Sequence, residues 1–325
     1  MNSGNHNYTR AGKTAPIALF VYKRLAHTRQ MAEALLKNEL AGESDLFIFS
    51  DAPKEPEAAE AVREVREYIR TISGFRSVSI VERDRNWGLA NSIIEGVTRL
   101  CNEYGRVIVL EDDLLTSPYF LEYMNNALDR YEGDPRVMQV SGHMFPVDLD
   151  VQTDALFLPM TTTWGWATWQ SAWVKFDRNM GTYERFMGNS EMMRRFNLDG
   201  AYPYVTMLES VKAGKIDAWG IRWYLAVFMN DGLVLFPAKS LVENKGFVAD
   251  GTNCGPDSKS ALFSQPTFAF RVRNFPPAVK CDETAFEILK KYLSSVTADR
   301  VTATTGRGLL RRIMNKLLRA IPIFH

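Results

Sequence analysis

The chain has 325 residues, 46% of them hydrophobic, and a formal net charge of +1. This size and composition suffice for a large core in one domain, or in one domain with an appendage. The near-neutral charge and the absence of a basic stripe exclude the usual nucleic-acid binder. Three cysteines far apart in the chain give no disulfide framework and favour a reducing compartment (Cys101, Cys254 and Cys281).

The N-terminal residues 1–14 are polar and predict a disordered tail without the apolar segment of a signal peptide. No run of the sequence reaches the roughly 20 apolar residues that a membrane-spanning helix needs. We therefore expect the protein to be cytoplasmic.

Four short apolar runs alternate with helical patterns in the first third of the chain. The runs are typical of strands that are buried on both faces. They cover residues 16–22, 45–50, 78–81 and 107–110, and the helical patterns start near Thr28 and cover 57–71 and 90–104. This alternation predicts an α/β fold with a parallel sheet flanked by helices, whose ligands bind outside the carboxyl ends of the strands.

The rest of the chain is less regular and holds most of the tryptophans. Its patterns predict helices over 118–131 and 281–294, strands over 137–140 and 233–236, and a loop over 244–255. Six of the seven tryptophans lie between residues 164 and 223. Trp169 and Trp173, spaced i and i+4 on a predicted helix, are interpreted as core residues.

Three acids, Glu111, Asp112 and Asp113, directly follow the fourth apolar run. Consecutive carboxylates beside a buried strand are costly unless a positive charge joins them. Side chains alternate along an extended chain, so Glu111 and Asp113 can face the same way. Their oxygens suit Mn²⁺ or Mg²⁺, with phosphate oxygens completing the coordination shell. A solvated acidic turn is the alternative.

The stretch 107–142, VIVLEDDLLTSPYFLEYMNNALDRYEGDPRVMQVSG, resembles N-acetylglucosaminyltransferase I and its relatives. These GT-A-fold glycosyltransferases carry E-D-D in place of the commoner D-x-D, and weaker similarity extends from about residue 16 to 255. The resemblance implies a GT-A-type mixed sheet flanked by helices. It also implies that Asp113 binds the metal, while Glu111 and Asp112 position the nucleotide-sugar donor.

Two further segments resemble donor-binding parts of that family. FVYKRLAHTR, residues 20–29, is similar to the first strand and turn, and implies that Arg24 meets the nucleotide. FIFSDAP, residues 47–53, is similar to the segment whose aspartate accepts a hydrogen bond from uracil, and implies this role for Asp51. The alternatives are a solvated arginine and a helix N-cap aspartate.

RNWGLANSI, residues 85–93, resembles the turn that follows the third strand in GT-A enzymes. Asn91 falls near a donor-contacting position where the family has histidine, so this assignment departs from the pattern. The alternative is an ordinary first turn of a helix.

Two segments, which contain two tryptophans and one aspartate of interest, resemble acceptor-binding parts of that family. Gly165-Trp166 is similar to a loop that shapes this side, which makes Trp164 and Trp166 candidate acceptor residues, with core packing as the alternative. KIDAWGIRW, residues 215–223, resembles a W-D-D-W-M-R segment whose first aspartate is the catalytic base. The matching Asp217 would take the acceptor proton in an inverting transfer; a surface aspartate is the alternative.

The segments near the C-terminus predict a lid and a surface-binding helix. The glycines of the 244–255 loop are typical of a lid that closes over bound donor, or of an ordinary surface loop. Residues 308–325 place apolar residues on one helical face among four cations, which predicts a helix bound to an anionic membrane surface or docked on protein. We expect a catalytic domain over 15–280, a helix and linker over 281–305, and the basic amphipathic helix over 306–325.

The function that these features imply is an inverting, metal-dependent glycosyltransferase. It would move a sugar, GlcNAc by resemblance, from a UDP-sugar to a hydroxyl of a glycan or lipid-linked glycan. The setting implied is bacterial surface-glycan assembly at the inner face of the cytoplasmic membrane. A sugar nucleotidyltransferase is disfavoured because residues 20–29 contain no glycine, and an inactive membrane-associated carbohydrate-binding protein because the acids are intact.

Overall fold

The computed structural model describes residues 14–246 and 265–302. Three predicted features lie mostly or wholly outside these ranges: the tail over 1–14, the lid over 244–255 beyond Gly246, and the basic helix over 306–325.

The first third of the chain alternates strands and helices as the sequence predicts. The strands are β1 (Ile17–Val21), β2 (Asp45–Ser50), β3 (Ser77–Glu82) and β4 (Arg106–Glu111), and the helices are α1 (Leu25–Leu36), α2 (Ala59–Ile69) and α3 (Leu89–Tyr104). All four strands are parallel, in the order β3-β2-β1-β4. Every residue of β1 is buried, because its unbroken apolar run packs on both faces of the sheet.

The remaining elements extend the sheet and cover it. They are β5 (Leu114–Thr116), α4 (Phe120–Tyr131), β6 (Val137–Ser141), β7 (Ala155–Leu158), β8 (Trp166–Trp169), α5 (Gln170–Trp173), α6 (Tyr183–Met187), α7 (Ser190–Phe196), α8 (Tyr204–Lys212), α9 (Trp219–Met229), β9 (Leu233–Pro237), β10 (Val242–Asn244) and α10 (Glu283–Thr302).

The main sheet has eight strands in the order β3-β2-β1-β4-β8-β6-β9-β7. β8 runs antiparallel to both of its neighbours, and β7 runs antiparallel to β9, so the sheet is mixed. β5 and β10 form a separate antiparallel pair. The prediction of a mixed α/β sheet flanked by helices is therefore confirmed.

Trp169 and Trp173 do not share a helix, and that prediction is wrong. Trp169 ends β8, whereas Trp173 lies in the four-residue α5. The segment Trp166–Trp169 is drawn into the sheet because it pairs with β4 on one side and β6 on the other. Both rings are nonetheless buried, as the core interpretation expects.

The C-terminal helix α10 runs eight residues beyond the predicted end at 294. It places Ala285, Leu289, Leu293 and Val296 in the same core as the sheet. Lys290 on this helix pairs with Asp199 at 2.7 Å. The described part of α10 is thus packed against the α/β domain.

Two narrower findings concern membranes and thiols. Within residues 14–246 and 265–302, no helix is both long and apolar enough to cross a membrane. Cys101 and Cys281 are free thiols, and loss of solvent raises the pKa of each to about 12. Neither thiol is therefore activated as a nucleophile at neutral pH.

Candidate functional site

A cavity of about 390 Å³ opens where the strand order reverses in the parallel part of the sheet. β1 lies between β2, which follows it in the chain, and β4, which the chain reaches only after β3 and α3. Such switch points are where open α/β sheets bind ligands, outside the carboxyl ends of their strands. The cavity volume lies in the range of about 300–1,000 Å³ that small-molecule sites occupy.

The predicted residues Arg24, Asp51, Glu111, Asp112, Asp113 and Trp164 all line this cavity. Arg24 follows β1, Asp51 follows β2, and the acidic triplet begins at the last residue of β4. The parallel register brings these strand ends to one edge, so residues far apart in sequence become neighbours.

The guanidinium of Arg24 holds two of the three acids. Its Nη2 donates to Asp112 Oδ1 at 2.5 Å and to Asp113 Oδ2 at 2.8 Å. The side chains of Arg24, Asp112 and Asp113 are 20%, 7% and 16% exposed, so the cluster is largely withdrawn from water. A solvated surface arginine and a solvated acidic turn, the two alternatives, do not describe this arrangement.

One guanidinium does not balance three carboxylates. Desolvation, followed by the neighbouring charges of Asp113 and Asp112, raises the pKa of Glu111 well above its ordinary value. Desolvation also raises the pKa of Asp112, although Arg24 opposes this. Burial alone would lower the pKa of Arg24, but the two aspartates raise it overall. The site is therefore short of positive charge when all three acids are ionised.

Asp51 is buried and ties β2 to the turn before α3. Its Oδ1 accepts from the backbone N–H of Ala52 at 2.9 Å and of Trp87 at 2.8 Å, and its Oδ2 accepts from Gly88 N–H at 2.8 Å. Gly88 takes a positive φ of 73° here, which glycine adopts without steric cost. A carboxylate oxygen accepts two hydrogen bonds, so Oδ2 keeps one position for a ligand. Asp51 does not cap the short helix that follows β2, whose N-cap is Glu55.

Two polar groups in the cavity lining lack hydrogen-bond partners among the described residues. They are the indole Nε1 of Trp87 and the hydroxyl of Ser92, both shielded from solvent. Ser92 lies in the first turn of α3, where helix amides favour an anion. The sequence patterns gave no role to either residue, because an unsatisfied buried group is visible only once the fold is known.

Gly246 closes the cavity against the acidic triplet. β10 pairs with β5, and the N–H of Lys245 donates to Asp113 O at 2.8 Å. A Cβ atom on Gly246 would lie 2.2 Å from Asp113 Oδ2. Only glycine lets the backbone approach this carboxylate so closely.

The oxygens of the acidic triplet suit a hard divalent cation that is also coordinated by a bound ligand. All three acids offer oxygen, which Mn²⁺ and Mg²⁺ prefer. Within the described ranges, however, no group of three or more His, Cys, Asp or Glu side chains is arranged to hold a metal ion. A site with one or two protein carboxylates suits an ion that takes its other ligands from phosphate and water.

No protein-family model matches the chain, and no curated protein sequence matches it. Among solved structures it is similar to residues 1–349 of TarS from S. aureus, with a TM-score of 0.40 and 9% identity over 71% of this chain. The chain spans 60% of that TarS structure.

Two other solved structures are similar to the chain. One is the mannosyltransferase PcManGT from Pyrobaculum calidifontis in complex with GDP-Man and Mn²⁺, with a TM-score of 0.35, 12% identity, and coverage of 67% of this chain and 70% of that one. The other is mouse xyloside xylosyltransferase 1, with a TM-score of 0.33, 13% identity, and coverage of 58% and 77%.

Three predicted site residues do not line the cavity. Asn91 donates from its side chain to Trp87 O at 2.6 Å and faces a separate groove. Trp166 is 1% exposed and stacks on Trp219 with 5.2 Å between the ring centroids, so its ring lies in the core and not at the cavity. Asp217 is 57% exposed just before α9 and accepts from Arg222 Nη1 at 2.9 Å.

Proposed function

We propose that the chain is a metal-dependent glycosyltransferase that binds a nucleotide-sugar donor in the cavity at the ends of β1, β2 and β4. The observation that carries the proposal is the charge deficit at the acidic triplet, where one guanidinium faces three carboxylates in a desolvated cavity. A divalent cation would supply the missing positive charge, and diphosphate oxygens would complete its coordination shell.

The donor is proposed to bind through residues that the structure brings together. Asp113 would hold the cation, which offsets the charge of the diphosphate leaving group when bound. Arg24 would pair with phosphate through its planar guanidinium. Asp51 keeps an acceptor position for the base, and Glu111 and Asp112 would position ribose and sugar. UDP is the proposed nucleotide, with GlcNAc as the sugar on the resemblance alone.

The acceptor chemistry is proposed with Asp217 as the base of an inverting transfer. Asp217 precedes Trp219, which stacks on Trp166, and Trp166 is two residues from the cavity-lining Trp164. Arg222 fixes the carboxylate of Asp217 through its Nη1. The proposed acceptor is a glycan or lipid-linked glycan of bacterial surface-glycan assembly. Residues 308–325 would hold the enzyme on the membrane, where such an acceptor is found.

Calorimetric titration of UDP with and without Mn²⁺ tests the donor site. The intact protein should bind UDP only with the metal, and Asp113→Ala should nearly abolish that binding. Asp150→Ala is the matched control, since this exposed aspartate lies outside the cavity lining. Unchanged UDP affinity in Asp113→Ala would remove the metal assignment, and absence of UDP binding to the intact protein would remove the donor site.

The base assignment has a separate test. Asp217→Asn should retain Mn²⁺-dependent UDP binding, because Asp217 does not line the cavity. Release of UDP from UDP-GlcNAc in the presence of glycan acceptors should fall by about 10²–10⁴-fold, the usual cost of removing a general base. Near-normal turnover would mean that another group takes the acceptor proton.

A further inference from the structure

An open groove of about 810 Å³ adjoins the cavity and is lined along one side by α3. Asn86 and Trp87 line both spaces, so the groove and the cavity share a wall. Three arginines from separate segments line the groove: Arg85 before α3, Arg99 on α3, and Arg178 after α5. All three are exposed to solvent. We call this surface the arginine groove.

The charges of these arginines are weakly compensated. Within the described ranges Arg85 has no ion pair, and Arg178 donates to the uncharged Asn91 Oδ1. Arg99 reaches Glu103 only at 4.0 Å, the outer limit of an ion pair. Glu95, the acid in the lining, is already paired with Arg83. The groove therefore presents weakly compensated positive charge next to the cavity.

The wall between groove and cavity is held rigidly. The guanidinium carbon of Arg83 lies 4.0 Å from the centre of the Trp87 ring, and the Arg83 side chain is only 9% exposed. Such a buried cation over an aromatic face fixes the ring in place. The Trp87 backbone is fixed as well, because its N–H donates to Asp51. A ligand that crosses from groove to cavity would thus pass a preformed aromatic surface.

The groove offers the contacts that an anionic oligosaccharide needs. Arginine guanidinium groups match phosphate and carboxylate groups in a bidentate manner. The amide groups of Asn86 and Asn91 each donate one N–H to a backbone carbonyl and keep a second for a sugar hydroxyl, and Trp87 adds an aromatic ring to the lining. Since the arginines come from three segments, a chain with repeated charges can engage all of them together.

We propose that the arginine groove binds an anionic glycan, a chain that carries phosphate or carboxylate groups along its length. Resting on the proposed function, this glycan is the acceptor, and the shared wall at Trp87 leads its end to the donor cavity. The binding itself does not depend on the transferase activity.

Direct binding tests the proposal with probes of defined charge. Fluorescently labelled oligomers of glycerol phosphate, oligogalacturonate and neutral maltooligosaccharide, matched in length, are titrated with the full chain at low salt. The proposal expects at least one anionic oligomer to bind well above the neutral one and to weaken as salt is added. The two anionic probes show whether phosphate or carboxylate is preferred.

The variant Arg85→Gln/Arg99→Gln/Arg178→Gln should lower the affinity for the preferred oligomer roughly tenfold, as three exposed charged contacts would. The control Arg63→Gln/Arg70→Gln/Arg194→Gln removes equal charge from exposed arginines on α2, directly after α2 and on α7, and should retain affinity. Mn²⁺-dependent UDP binding by the groove variant should be unchanged, which also reports that the variant is folded.

Each remaining outcome decides a specific point. Equal loss in both triple variants, or equal affinity for neutral and anionic oligomers, would overturn the arginine groove. Tighter binding of a single-stranded oligonucleotide of equal charge would overturn the glycan as its ligand. Glycan binding without any UDP binding would support the arginine groove as a glycan site and would overturn the proposed function. UDP binding without glycan binding would support the donor site and would overturn the arginine groove.

Discussion

The segment from β1 to β4 and the segment from β8 to α9 contribute to the same sheet and core in different ways. In the first, apolar strands alternate with helices, and each strand ends in polar side chains such as Arg24, Asp51 and Glu111. In the second, rings pack on one another, with Trp166 stacked on Trp219 and close to Trp173 and Trp223. The tryptophans between β8 and α9 therefore build core, whereas the strand ends build the site.

The largest expected effect tests the core side of this comparison. Trp166→Ala should lower the free energy of unfolding by about 3–5 kcal/mol, the usual loss for a buried tryptophan. Val174→Ala, at a residue that is 68% exposed in the same region, should leave it nearly unchanged. Urea denaturation followed by circular dichroism measures both. A stable Trp166→Ala protein that has lost UDP binding would instead make Trp166 part of the site.

A somewhat smaller effect is expected where the second half of the chain meets the site. Gly246→Ala should disturb Asp113, because the added Cβ would lie 2.2 Å from its carboxylate. Overpacking of this kind costs about 1–3 kcal/mol, and Mn²⁺-dependent UDP affinity should fall with it. Gly133→Ala, where a Cβ meets nothing within 4 Å, is the control. Equal affinities in the two variants would show that Gly246 does not shape the site.

A third substitution, in the cavity lining, distinguishes a contact to the ligand from a contact that stabilises the fold. Ser92→Ala removes a buried hydroxyl that has no partner among the described residues. The free energy of unfolding of this variant should therefore equal or exceed that of the intact protein. UDP affinity should fall about three- to tenfold if this hydroxyl bonds the ligand, as a hydrogen bond of about 0.5–1.5 kcal/mol implies. Ser210→Ala, whose hydroxyl donates to Thr206 O at 2.8 Å, should leave UDP affinity intact. Unchanged UDP affinity and unchanged stability in Ser92→Ala would show that the hydroxyl contributes neither to ligand binding nor to the fold.

The smallest effect concerns the ion pair between Lys290 on α10 and Asp199, which follows α7. Hydrogen bonding to Lys290 lowers the pKa of Asp199 below its ordinary value of 3.8. The pair therefore stabilises the fold above that pH, and the stabilisation is lost as the pH falls through the lower folded pKa. Because Asp199 is 40% exposed, the effect should be a few tenths of a kcal/mol.

Asp199→Asn removes the ion pairs of this residue with both Lys290 and Arg194. The melting temperature should therefore fall less between about pH 5 and pH 3 in this variant than in the intact protein. Asparagine tolerates the positive φ of 59° at this position, so backbone strain does not confuse the result. An unchanged acid profile would mean that the pair contributes nothing to stability.

The sequence predicted the first third of the fold to within a few residues, because buried parallel strands leave unbroken apolar runs. The gathering of Asp51 with Glu111 followed from that order, since parallel strand ends share an edge. Elsewhere tertiary contacts override local pattern: the helical spacing of Trp169 and Trp173 yields to strand pairing with β4 and β6. The unsatisfied hydroxyl of Ser92 leaves no trace in sequence, because its neighbours come from distant segments.

The bonds of Arg24 to Asp112 and Asp113 have a consequence for how the site exchanges ions. Two of the three acids have a counter-ion that is part of the polypeptide, whereas the metal ligands of zinc-dependent domains gain theirs only when the ion binds. Under the proposed function, a cation bound by Asp113 would compete with the guanidinium for the same oxygens and would free it to pair with phosphate. Loading the site would thus be an exchange of partners at Asp113, from the guanidinium to the cation.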